Sequence, residues 1–128
     1  MKNLILFAMI FIPSIALSST STKDALDYCA TSQSWAAQKV IYAIAEKNKQ
    51  LDKIRATSSL IERTKLVKGK KPVIFEEWGQ LYTQTIEISI PYIDNQKKPV
   101  ILIVSSIISA EECSLTEPAY FDITPGSY

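Results

Sequence analysis

The residues of this 128-residue chain whose type or spacing could do chemistry are two cysteines, two carboxylate doublets and an aromatic repeat. The cysteines, Cys29 and Cys113, make an even pair. In an exported chain an even count reads as a disulfide; a metal pair and two free thiols are the competing uses. There is no histidine, so a zinc site would have to be completed by carboxylates. The expectation is a disulfide, with no metal site and no cofactor. The doublets are Glu76-Glu77 and Glu111-Glu112. Neighbours on a strand point to opposite faces, so neither doublet is by itself an acid/base pair. Only carboxylates converging from different strands could do glycosidase-type work. Without histidine there is no Ser-His or Cys-His nucleophile, and the commonest general base is missing. Three glycines supply no phosphate-cradling loop. No catalytic residue is assigned.

Tyr28, Trp35 and Tyr42 recur every seven residues. At about 100° per residue they align along one side of a helix. Either they cover the rim of a sheet, or they form an exposed ridge for a partner, Tyr and Trp being common interface anchors. These three are the candidate partner-binding residues.

The elements that must position these groups begin after an export signal. Lys2 is the only charge among the first 22 residues, and an apolar run from Leu4 to Leu17 is broken at Pro13-Ser14. Ala16-Leu17-Ser18 presents small residues for cleavage after Ser18. A membrane span needs about 20 apolar residues, which this run lacks. Residues 1–18 are therefore expected to be a cleaved signal peptide of bacterial type. Residues 19–128 are expected to be one small domain, periplasmic or secreted, with no stable membrane anchor. Losing Lys2 leaves 13 basic against 13 acidic residues, so net charge gives no case for nucleic acid.

Ser21 and Asp24 fit a capping pattern. Leu26, Cys29, Gln33, Ala36, Val40 and Ile44 then recur at helical spacing, and residues 23–68 hold no glycine or proline. One continuous helix is predicted over residues 23–47, facing the core through Leu26, Cys29, Ala36, Val40 and Ile44, with Asn48 able to end it. Residues 57–67 read as a first strand, and Lys68-Gly69-Lys70-Lys71-Pro72 as a basic turn. Val73-Ile74-Phe75 is a short strand before a turn at residues 76–79.

A clear alternation follows, with Tyr82, Gln84, Ile86, Ile88 and Ile90 on one face. A loop around Asp94-Asn95 returns the chain into the β-branched run 99–113, the strongest strand signal present. Two registers fit this hairpin. One sets Ile90 opposite Ile101; the other, slipped by one, sets Ile90 opposite Val100 and inverts the second strand's faces. Cys113 shares parity with Ile101, Ile103 and Ile107, so a disulfide to the helix favours the first register, unless a bulge near residues 109–112 reverses it. Residues 119–124 read as a last strand.

The expected fold is α+β: one N-terminal helix on an antiparallel sheet of three to five strands, stapled by a helix-to-strand Cys29–Cys113 disulfide. The expected function is a non-enzymatic periplasmic binding protein, such as an inhibitor or immunity-type partner of another exported protein. The alternatives are a small secreted hydrolase or effector using carboxylates, and an envelope accessory or structural protein. Oligomeric state is left open.

Overall fold

The computed structural model describes residues 18–126. Of the expected signal peptide, residues 1–18, all but Ser18 lie outside the described residues. Helix α1 spans Ser18–Tyr28 and α2 spans Trp35–Lys47. A short 3-10 turn over Lys53–Arg55 follows. The strands are β1 (Thr57–Lys65), β2 (Val67–Lys68), β3 (Lys71–Pro72), β4 (Ile74–Phe75), β5 (Gly79–Gln80), β6 (Tyr82–Ile90), β7 (Val100–Ile108) and β8 (Ala119–Asp122). The main sheet is antiparallel in the order β1-β6-β7-β8; β2–β3 and β4–β5 form two small hairpins. The class is the expected α+β.

The single predicted helix is broken at residues 29–34. Four polar residues, Thr31, Ser32, Gln33 and Ser34, stand there. Such side chains offer the backbone bonds that compete with helix. The Thr31 hydroxyl donates to Tyr28 O at 2.7 Å, and Ser34, fully buried, caps α2 by accepting from Ala37 N–H. Side chains of the sheet bond three carbonyls at and just after the end of α1. Arg63 donates to Leu26 O, Gln84 to Cys29 O at 3.0 Å and Ser58 to Ala30 O at 2.6 Å. A helix end buried against a sheet needs such partners. Helix α1 also starts at Ser18, so Ser21 lies inside it rather than at its cap. Asn48 does end α2, its N–H bonding Ile44 O at 3.1 Å.

One face of the sheet carries the core. Ile86, Ile88 and Ile90 of β6 and Val100, Leu102 and Val104 of β7 pack with Ala37, Val40 and Ile41 of α2, closed by Leu51 and Ala56. A second cluster joins Leu26 and Cys29 to Ile108. Of the predicted helix stripe, Leu26, Cys29, Ala36 and Val40 are buried and Ile44 half-buried. The opposite sheet face holds Thr83, Thr85, Glu87 and Ser89 beside the half-buried Ile101, Ile103 and Ile107.

The hairpin takes the second register, with Ile90 opposite Val100 and Ile88 opposite Leu102. The parity argument from Cys113 fails because β7 stops at Ile108. Ser109 then turns the chain: its hydroxyl accepts from the N–H groups of Glu111 and Glu112, and its N–H donates to Glu112 O at 2.8 Å. The turn resets which way Cys113 points. Leu102, Val104 and Ile108 therefore face the helices while Cys113 still reaches Cys29.

A candidate interaction surface

Cys29 and Cys113 are joined, with Cα atoms 5.0 Å apart and a sequence separation of 84. The bond ties the end of α1 to the turn after β7, and it fits an oxidising, extracytoplasmic compartment. Among the described residues no helix is long and apolar enough to cross a membrane.

Tyr28, Trp35 and Tyr42 are 53%, 58% and 49% exposed. The helix break puts Tyr28 on α1 and the other two on α2, yet they remain neighbours along one side of the molecule. Tyr28 and Trp35 line one open depression, together with Gln33, Gln38, Glu111 and Glu112. Trp35 and Tyr42 line the next, with Lys39 and Glu46. Tyr42 lines a third, of about 650 Å³, with Lys53, Ile54 and Ile93. The result is a continuous track of five large exposed side chains, because Ile54 and Ile93 are 79% and 64% exposed. Sequence periodicity could not find these two isoleucines, which come from separate loops. Their only signal was a lone large apolar residue in an otherwise polar run.

The track is held from beneath. Asp52 accepts from Ile54 N–H at 3.1 Å and from Arg55 Nε at 2.7 Å, which fixes the turn carrying Ile54. Arg55 reaches on to Tyr92 O at 2.9 Å and Asn95 Oδ1 at 3.0 Å. Ile93 N–H donates to Gln50 O at 2.8 Å. The Arg55 hydrogen bond holds the Asp52 carboxyl below the usual carboxylate range. Lys39 Nζ lies 5.4 Å from the Trp35 ring centre and Lys53 Nζ 4.5 Å from that of Tyr42, both within cation–π range. Tyr28 donates its hydroxyl proton to Gln33 O at 3.2 Å. Among the described residues, the Trp35 indole N–H and the Tyr42 hydroxyl make no hydrogen bond. The track thus offers apolar ring surface with two polar tips.

The two carboxylate doublets do not meet each other, and of Glu46 and Asp52, which both line the third depression, Asp52 is held by Arg55. Glu76 and Glu77 line a depression with Ile74, Phe75 and Trp78, whereas Glu111 and Glu112 lie beside Tyr28. The other shifted groups belong to a surface ion pair. Lys23, 2.7 Å from Asp27, is raised by its hydrogen bond to that carboxylate; Asp27 is lowered first by Lys23 and then by Arg63. Among the described residues no cluster of three His, Cys, Asp or Glu side chains could hold a metal ion. Comparison with protein-family models, curated proteins and solved structures gave no match.

Proposed function

We propose that this is an exported, non-enzymatic binding protein of the periplasm or the secreted fraction, an inhibitor or immunity-type partner that engages another exported protein through Tyr28, Trp35 and Tyr42. One observation carries the reading: three half-exposed aromatic rings align across a helix break and run on into Ile54 and Ile93. Large exposed apolar side chains in one contiguous track, with charged residues alongside, mark an interaction site. Residues of these types dominate binding energy where they become buried.

The test compares wild type with Trp35→Ala/Tyr42→Ala as bait in periplasmic extract, each checked first by thermal melt. Truncating a buried aromatic costs about 3–5 kcal/mol. Trp35 is more than half exposed, so Trp35→Ala should cost only about 1–2 kcal/mol. A specific partner retained by wild type and lost by the variant supports the proposal. Equal retention by a well-folded variant would refute the assignment of the ridge.

A further inference from the structure

Between β1 and β6 the chain leaves the main sheet as an arm, residues 66–81, made of the β2–β3 and β4–β5 hairpins. A three-way joint holds the arm at its base. Leu66 N–H donates to Leu81 O at 2.9 Å, Val73 N–H to Leu66 O at 2.8 Å and Leu81 N–H to Val73 O at 3.0 Å. The Gln80 amide nitrogen adds hydrogen bonds to Leu66 O, Val73 O and Leu81 O at 3.3, 3.1 and 2.8 Å. Such a joint makes the arm a built element, not a loose connection.

The two tips carry opposite charge. Lys68, Lys70 and Lys71 surround Gly69, whose φ of 65° supplies the left-handed turn. Glu76 and Glu77 form the other tip. Among the described residues none of these five charges has an ion-pair partner. Val67, Ile74 and Phe75 stand exposed on the same arm, and within it only Leu81 is buried. A surface of one sign would repel its own copy. A two-fold axis brings one patch against itself, so an isologous contact requires self-complementarity. An arm that carries one basic tip and one acidic tip meets that requirement. An anionic surface, whether lipid or nucleic acid, would instead meet Glu76 and Glu77 beside Phe75.

We propose that residues 66–81 are a homodimerisation arm. The basic tip of each copy meets the acidic tip of the other across a two-fold axis, and Val67, Ile74 and Phe75 are covered between them. The arm shares no residue with the aromatic track, so this pairing stands independently of the partner site.

Sedimentation velocity over a concentration series tests it. Wild type should reach twice the chain mass at low salt and fall toward the monomer at high salt, because exposed charge pairs are screened. Glu76→Lys/Glu77→Lys makes both tips basic, and Lys68→Glu/Lys70→Glu/Lys71→Glu makes both acidic. All five side chains are exposed, so each variant should melt like wild type and sediment as a monomer. Mixed one to one, the two variants should form a heterodimer, which a merely structural role for these residues could not produce. A wild type that stays monomeric at every concentration overturns the proposal, and so does a mixture that stays monomeric. Retention of a monomeric wild type by phosphatidylglycerol vesicles would overturn it in favour of a lipid surface.

Discussion

Arg63 is the side chain whose loss should reveal how the helices are held on the sheet. Its side chain is only 13% exposed, and its guanidinium bonds three groups: Gln84 Oε1 at 3.0 Å, Asp27 Oδ1 at 3.0 Å and Leu26 O. Arg63→Met keeps the apolar stem and removes the fork. The three losses are unequal. Leu26 O still accepts from Cys29 N–H at 3.1 Å, and Asp27, part-exposed, keeps Lys23 at 2.7 Å. Gln84 is 2% exposed, and its carbonyl oxygen is left without a donor.

An orphaned buried acceptor costs about 1–3 kcal/mol, so Arg63→Met should lose about 2 kcal/mol. In a domain of this size that lowers Tm by about 10 °C. Gln84→Met orphans both Arg63 Nε and Cys29 O. In the double variant methionine faces methionine and only Cys29 O remains unpaired. The double loss should therefore be smaller than the summed single losses by about 1–2 kcal/mol. Urea unfolding of all four proteins, with unchanged m values, measures this coupling. Additivity to within about 0.5 kcal/mol would mean that the two residues act independently and that the network is not what anchors α1.

Three further outcomes are expected. Cys29→Ala/Cys113→Ala opens a loop of 84 residues, which the chain-entropy account values at about 4–5 kcal/mol; urea unfolding should find the variant barely folded, and non-reducing peptide maps of wild type should show the two cysteine peptides joined. Asp27 and Asp52 are held below the usual carboxylate range in the folded state, so their stabilisation is complete above about pH 4 and is lost as pH falls through the folded values. The urea midpoint should stay level from neutrality to about pH 5 and then fall, less steeply in Asp27→Asn. Intact-mass analysis of periplasmic protein should give a chain beginning at or within a few residues of Ser19, and a full-length chain recovered in the membrane fraction would contradict the signal reading.

Composition and short-range pattern were enough for the parts of this fold that depend on local chemistry. The period-two run Tyr82–Ile90 had to be a half-buried strand, because alternate side chains of a strand face opposite sides. Two cysteines and no histidine made a disulfide the natural use of Cys29 and Cys113, wherever the chain placed them. The seven-residue aromatic spacing marked three residues that lie along one side of the molecule, and their exposure followed from which sides of α1 and α2 the sheet covers. Three features needed the tertiary structure. The helix breaks at residues 29–34 although no glycine or proline requires it, because Arg63, Gln84 and Ser58 come from distant strands to bond carbonyls at and just after the end of α1. The hairpin register turned on a tight turn at Ser109, which uncouples Cys113 from strand parity. Ile54 and Ile93 join the aromatic track only because Asp52 and Arg55 fold two loops against each other. The helix break and the placing of Ile93 rest on bonds between residues far apart in sequence, such as Gln84 to Cys29 and Arg55 to Tyr92, which no local pattern encodes. The bonds of the Ser109 turn are local, and it decides the register only because it frees Cys113 to reach the distant Cys29.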